Sequence, residues 1–481
     1  MTVTIDLVKE APEGATVVSG VTAEAVDAHP LHGVLSAAGF SAKAGETQFV
    51  ATEDGGVALV VGLGTDDDRT VDSFRSIGGA IARAAKKHET IALVDVLDAA
   101  GDLNPAGVGQ ALAEGLVLGD YRYTDLKSAP EPSSLRAVEV VGKGGKRVQG
   151  AFDLGRAIAE AVCVTRDLVN EPGGSLTPPA LAKKTEKLGG TYGFEVSVLG
   201  PKEIKAAKMG GVLGVNRGSE IPPRFLELSW KPEGNARGAV ALVGKGVTFD
   251  SGGLSLKPSD GMLAMKGDMA GGAAVIGAFC ALQAANPRVE VKGYVPLTDN
   301  MTGGDATRLG DVLTISNGKT VEIHNTDAEG RLILADALSK ATADGVDAIV
   351  DLATLTGACM VALGDSHAGV MGTSESWIEQ VREAADAAGE KTWPLPLPQE
   401  WRANLDSDIA DMKNIGGRYG GASIAGLFLK EFVGDDIPWA HIDIAGLAFV
   451  DKETSTETKG GTGYGVRTLV NLLKGYKRPK D

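Results

Sequence analysis

The chain has 481 residues, above the usual ceiling for a single hydrophobic core, so two domains are expected, and apolar residues at 43 % suffice to fill both. A net charge of −16 argues against a mainly electrostatic grip on nucleic acid or anionic lipid. Cys163, Cys280 and Cys359 lie far apart in apolar segments, which suits reduced, buried thiols better than a disulfide frame or a zinc knuckle.

The opening decapeptide carries Asp6 inside its only apolar stretch and so lacks the apolar core of a signal peptide. The longest uncharged run, 269–287, is mostly Ala and Gly and closes on Gln283, Asn286 and Pro287. Its apolar part falls short of the ~18 residues a membrane span needs. A cytoplasmic protein without a membrane partner is expected.

Up to about residue 150, β-branched runs at 17–21, 57–61, 91–96 and 137–141 alternate with helical patterns at 71–87 and 106–118. That alternation predicts a smaller N-terminal α/β domain over 1–150 with a partly parallel sheet. No constellation of catalytic side chains lies in it. Gly62-Leu63-Gly64 and the glycines at 142–145 lack the spacing of a nucleotide fingerprint and read as turns, and 126–134, with Pro130 and Pro132, reads as a loop. A helical pattern over 152–170, stopped by Glu171-Pro172-Gly173-Gly174, is the expected connector, 151–172.

The larger C-terminal α/β domain, 173–481, is expected to carry a mixed central sheet and all the site chemistry. Strands are predicted at 194–199, 225–230, 239–243, 289–295 and 348–352. The unbroken Ala239-Val-Ala-Leu-Val243 suits a strand covered by helices on both faces. Asn317-Gly318 marks a hairpin between 312–316 and 320–324.

Two clusters stand out. The first runs over Gly244 to Gly253, where Lys245 and Asp250 follow the buried strand and so fall outside the carboxyl end of the sheet, the ligand side of α/β folds. Lys257 follows in a Gly- and Ser-rich loop, and Asp268 precedes the helical run 269–282. The second cluster is Asn-Thr-Asp-Ala-Glu-Gly-Arg-Leu, 325–332. Asp327 and Glu329 are two apart and would project to one side of an extended segment, and Gly330 lets the backbone enter a helix over 331–343.

Taken singly, these residues have plain structural readings. Thr326 and Glu329 stand in capping-box spacing, Asp268 is an acceptable N-cap, and Lys257 suits a solvated surface. Taken together, Asp250, Asp268, Asp327 and Glu329 supply four negative charges, enough to balance two divalent cations, and oxygen-rich coordination suits Zn²⁺, Mn²⁺ or Mg²⁺. Six histidines and no His-Glu-x-x-His pattern count against a histidine-based zinc site, although His324 abuts the second cluster.

These segments, with Ser255-Leu-Lys-Pro258 and Lys266-Gly-Asp-Met-Ala270, resemble the leucine aminopeptidase (cytosol aminopeptidase) family over most of the chain after about residue 160. The resemblance implies that Asp250 and Glu329 bridge two metal ions, that Asp327 completes the first site, and that Lys245 as a neutral amine and Asp268 complete the second. It makes Lys257 and Arg331 the catalytic side chains, with bicarbonate on Arg331 as proton shuttle. The implied reaction is hydrolysis of the N-terminal residue of a peptide, with water activated and the scissile carbonyl polarised by the metals. Met265, Thr354, Leu355, Gly357, Ala445 and Ala448 would line the pocket for an apolar first side chain such as Leu, while Met265 and Ala445 also suit an ordinary core. The segments 411–417 and 420–422 would shape the rim. A homohexamer is implied as well. Two other functions remain open at this point, a two-metal phosphoesterase and an architectural nucleic-acid binder, the latter disfavoured by the acidic balance.

Overall fold

The computed structural model describes residues 3–52 and 55–480. The chain divides into two compact units, 1–163 with 451–459, and 164–450 with 460–481. The break falls inside one long helix, Gly145–Asn170, which begins seven residues before the expected 152. The expected boundaries at 150 and 172 bracket this break. The segment 451–459, expected in the second domain, packs instead with the first unit. There Arg83 donates through Nε to the Ser455 carbonyl at 2.7 Å and through Nη1 to Glu453 Oε2 at 2.7 Å.

In the first unit six strands lie in the order β1-β6-β5-β2-β4-β3: β1 (Thr4–Val8), β2 (Thr16–Val21), β3 (Thr47–Ala51), β4 (Val57–Gly62), β5 (Thr90–Val94) and β6 (Ala137–Val141). All pairs are parallel except β3 with β4. The strands β1 and β3 are not among those predicted. Their short, polar-interrupted sequences, Thr-Ile-Asp-Leu-Val and Thr-Gln-Phe-Val-Ala, bury few residues and therefore carry little period-2 signal. Helices Val71–Ala85 and Pro105–Asp120 pack closely, because Gly115 and Gly119 let backbone meet backbone. A Cβ on Gly115 would lie 2.0 Å from the Arg75 carbonyl oxygen. The buried Arg75 and Glu114 pair across this contact at 2.7 Å.

The second unit is built on a mixed sheet in the order β16-β15-β18-β14-β9-β11-β8-β7, with β10 also on β11. Its strands are β7 (Glu195–Leu199), β8 (Arg224–Trp230), β9 (Ala239–Gly244), β10 (Gly246–Asp250), β11 (Glu290–Asn300), β14 (Ala348–Ala353), β15 (Ala368–Gly372), β16 (Thr392–Pro394) and β18 (Trp439–Asp443). The predicted hairpin is formed by β12 (Val312–Thr314) and β13 (Thr320–Glu322), and β17 (Met412–Lys413) pairs with β13. At the centre, β18, β14, β9, β11 and β10 are parallel, so their carboxyl ends share one edge. The uniformly apolar β9 is buried from Val240 onward, as a strand covered on both faces must be.

Helix Ala270–Ala285 is buried along its first thirteen residues. Among the described residues the helical stretch Ser259–Ala285 is the one long and apolar enough to cross a membrane, and 83 % of its most apolar window is buried inside the fold. Cys280 and Cys359 are free thiols. Cys280 and Cys359 are buried, and burial pushes each thiol up to about 12, whereas Cys163 is only half-buried, contrary to expectation.

Candidate metal centre

The parallel edge positions the chemistry. Lys245 follows β9, Asp250 ends β10, Asn300 ends β11, Thr354 follows β14 and Asp443 ends β18. Onto this edge come Asp268, from the turn before helix Ala270–Ala285, and the segment Asp327 to Arg331, leading into helix Gly330–Ala343.

Two lysine-centred halves result. Lys257 lies 2.8 Å from Asp250 Oδ2 and 2.6 Å from Asp327 Oδ1. Lys245 lies 2.8 Å from Asp268 Oδ2 and 2.8 Å from Glu329 Oε1, and donates to the Thr354 carbonyl at 2.9 Å. The halves converge through their acids, since Asp250, Asp327 and Glu329 each offer a carboxylate oxygen within 4.8 Å of the others. Among the metal and catalytic candidates, Lys245, Asp250, Asp268, Asp327, Glu329, Lys257 and Arg331 thus all gather here.

Several local expectations need correction. Thr326 is not a helix cap: the residue before helix Gly330–Ala343 is Glu329. The Thr326 hydroxyl instead donates to the Gly252 carbonyl at 2.7 Å and accepts from Ser255 N at 2.8 Å, tying the two clusters together. Nor is Asp268 the N-cap of helix Ala270–Ala285, a position held by Met269; its Oδ1 accepts from Lys245 Nζ and from the Thr354 hydroxyl, each at 2.8 Å. Asp327 sits in a turn rather than on an extended segment, with Ala328 N donating to the Asn325 carbonyl at 3.3 Å. His324 points away to Glu322, 3.0 Å from it, and is 41 % exposed.

The electrostatics are those of crowded anions. Burial, reinforced by Glu329 and opposed by Lys245 and Lys257, raises the pKa of Asp250. Burial also holds Asp268 well above the usual carboxylate range and raises Asp327. Burial disfavours the ammonium forms of Lys245 and Lys257, but the surrounding acids outweigh it and raise both. Burial pushes Arg331 down to about 10, against the pull of Glu329 and Asp443, so it stays protonated at neutral pH. Its Nη1 donates to the Asn414 carbonyl at 2.8 Å.

Three features fit cations in this donor set. Four acids outnumber the two lysines they surround. Glu329 Oε2 is buried without a hydrogen-bond partner, which an anionic oxygen tolerates poorly unless a ligand reaches it. Gly330 leaves the space that Lys245 fills, since a Cβ there would lie 2.5 Å from Lys245 Cε.

Residues not anticipated individually hold the cluster in shape. Asn300 Nδ2 donates to Asp250 Oδ1 at 2.8 Å and to the Thr326 carbonyl at 3.0 Å. Asn414, fully buried within the expected rim segment 411–417, accepts from His324 N at 2.8 Å and Asn325 N at 3.2 Å and donates to the Asn325 carbonyl at 2.6 Å. An amide side chain in a polar segment carries no periodic signal, so sequence offered nothing to find it by. Asn414→Ala is expected to cost about 3 kcal/mol in denaturant unfolding, because it strands two backbone donors and an acceptor under the metal-centre turn.

Of the pocket candidates, Thr354 bonds Asp268 directly, Met265, Leu355 and Ala445 are half-buried, Gly357 is exposed and Ala448 is buried.

The family model "Cytosol aminopeptidase family, catalytic domain" matches residues 163–470, and its N-terminal domain counterpart matches 13–130. A probable cytosol aminopeptidase of Microcystis aeruginosa is 44 % identical over 471 residues, covering 96 % of this chain and 95 % of that one. One of Aquifex aeolicus is 42 % identical, covering 90 % and 88 %. Among solved structures, the bottromycin maturation enzyme BotP is 40 % identical with TM-score 0.88, covering 96 % of this chain and 99 % of its own; it is also known in complex with Mn. A mutant of tomato leucine aminopeptidase is 37 % identical, with TM-score 0.88 and coverage of 98 % and 96 %. The class so defined is that of the metal-dependent peptidases, hydrolases on a two-domain α/β fold. The chain belongs to the cytosol aminopeptidase family and is an aminopeptidase.

Proposed function

We propose that the chain is a two-metal leucyl-type aminopeptidase that removes apolar N-terminal residues from peptides. The observation that carries this reading is the pair of lysine-centred acidic halves sharing one edge, with Glu329 paired to Lys245 in one half and offering a carboxylate oxygen within 4.8 Å of Asp250 and Asp327 in the other. Asp250 and Glu329 would hold both ions, Asp327 would complete one site, and Asp268 with Lys245 the other. Mn²⁺, Zn²⁺ and Mg²⁺ all suit such ligands, and Mn²⁺ is favoured by the BotP complex. Bound divalent cations supply Lewis acidity, holding the substrate's free amine, polarising the scissile carbonyl and lowering the pKa of water.

The chain's own residues do the rest. Lys245 must be a neutral amine to serve as a ligand. The acids that hold its proton are the same ones a dication would engage, and engaging them removes the field that favours the ammonium. Lys257 is not a ligand and is 18 % exposed against 4 % for Lys245, so water can support its ammonium when cations engage Asp250 and Asp327, and it would stabilise the oxyanion developing on the scissile carbonyl. Arg331 Nε is a buried donor without a hydrogen-bond partner beside the acidic cluster, which suits a small planar anion such as bicarbonate. Arg331 would hold that anion, which would supply a proton-relay group at the site, so no protein carboxylate need act as base. Binding through the free amine limits cleavage to the first residue. Thr354, Leu355, Gly357, Met265, Ala445 and Ala448 would receive its side chain. A homohexameric, cytoplasmic enzyme belongs to the same reading, and sedimentation as a monomer would count against the assembly.

With leucyl p-nitroanilide and Mn²⁺ the purified protein is expected to release nitroaniline, to lose this on chelation and to regain it with Mn²⁺. No release, or release that survives chelation, would refute the proposal.

A further inference from the structure

The carboxyl end of β18 carries a buried acid that the reaction above does not use. Asp443 is 1 % exposed, and its two oxygens accept from three donors on two separate segments. Oδ1 accepts from Leu355 N at 3.2 Å and from Ala445 N at 3.2 Å; Oδ2 accepts from the Thr356 hydroxyl at 2.7 Å. Leu355 and Thr356 follow β14, and Ala445 follows β18. In the register of these two parallel strands Ala353 is opposite Asp443, so the acid stands where both chains leave the sheet.

The fastening continues on either side. Ile444 N donates to the Ala353 carbonyl at 2.9 Å, extending the strand pairing by one bond. Thr356 passes the connection on, because its hydroxyl oxygen accepts from Cys359 N at 3.0 Å and caps helix Gly357–Leu363. The far end of that helix meets the second segment again at Gly446, where a Cβ would lie 2.6 Å from the Gly364 carbonyl oxygen. On the first segment Thr354 bonds Asp268, so the clamp is anchored one residue from the metal centre.

We infer that Asp443 is a positioning residue for substrate selection, which fixes the spacing of the 354–357 and 445–448 segments and so sets the width of the slot that receives the first side chain. This rests on the pocket assignment made above. The physical basis is the acceptor-only chemistry of a carboxylate. Ala445 N–H, two residues on in the acid's own segment, fixes the direction of the carboxylate, and the Leu355 N–H and Thr356 hydroxyl of the facing wall converge on it, so that wall would leave both donors unpaired, the hydroxyl buried, if it moved away. A pocket held this way loses discrimination when its walls loosen, because one methylene in an apolar slot is worth only about tenfold to a hundredfold in specificity.

The test compares leucyl and glycyl p-nitroanilides on the full-length, Mn²⁺-loaded protein, with D443A, T356V and T356S. T356V removes the hydroxyl that Asp443 holds while keeping the side-chain volume, and T356S retains the hydroxyl. The leucyl-over-glycyl ratio of kcat/KM is expected to fall about tenfold or more in D443A and about threefold in T356V, mainly through KM for the leucyl substrate, and to stay near the wild-type ratio in T356S. A D443A protein that fails to fold leaves T356V to decide. A folded variant with the wild-type ratio, or equal losses on both substrates, overturns the clamp. A wild-type protein that cleaves neither substrate, or both equally, overturns the pocket assignment first and the clamp with it.

Discussion

Glu329→Gln is expected to lower kcat/KM on a leucyl substrate by about a thousandfold or more, roughly 4 kcal/mol of transition-state stabilisation, while leaving the fold intact. Glu329 lies between the two halves of the centre, 2.8 Å from Lys245 and with a carboxylate oxygen within 4.8 Å of Asp250 and Asp327. The amide keeps the volume and removes one of four negative charges. Lys245 retains Asp268 and the Thr354 carbonyl, so no buried ammonium is stranded and unfolding has no new driving force. The loss should therefore appear as one bound cation fewer per chain by elemental analysis, with an unchanged far-ultraviolet circular dichroism spectrum. Wild-type metal content and activity in this variant would remove Glu329 from the site.

Gly330→Ala is the sharper test, because secondary structure and site chemistry pull in opposite directions. The position is the first residue of a helix, where alanine is favoured over glycine by up to about 1 kcal/mol. The new methyl, however, would stand 2.5 Å from Lys245 Cε and 2.8 Å from its Nζ. The lysine side chain can swing, but it is buried and held at three points, so yielding costs its contacts to Asp268, Glu329 and Thr354. The expected result is a folded protein whose affinity for the second cation falls about a hundredfold, with activity falling in proportion at limiting Mn²⁺. Partial rescue by excess Mn²⁺ would agree with displacement of Lys245. Unchanged metal titration would show that the lysine is not held as described.

Much of the second domain's chemistry was legible because its signals are local. A continuous apolar run gave β9, Asn317-Gly318 gave the hairpin, and an acid and a lysine just past a buried strand pointed to the ligand edge of a sheet. Asp443 obeys the same rule at the end of β18, but Trp-Ala-His-Ile-Asp mixes polar with apolar residues and did not read as a buried strand. Its His441 is tolerated there because Asp351 on the neighbouring strand receives its ring nitrogen at 2.6 Å. That pairing joins residues ninety positions apart, beyond the reach of any window.

By itself, the sequence pointed to the two-domain α/β plan and to a helix at the join, because composition and periodicity follow from backbone geometry and burial, and it offered Asp250, Asp268, Asp327 and Glu329 as candidate metal ligands; Lys245, Lys257 and Arg331 took their expected roles only from the family resemblance. Tertiary structure alone decided what each of those residues bonds. Thr326 has the spacing of a cap, yet its hydroxyl is used seventy-four residues away at Gly252. Asp268 has the position of a cap, yet it faces Lys245. In both cases the local hydrogen bond is cheap to replace, whereas a buried charge or a close turn has no alternative partner, so the long-range contact prevails.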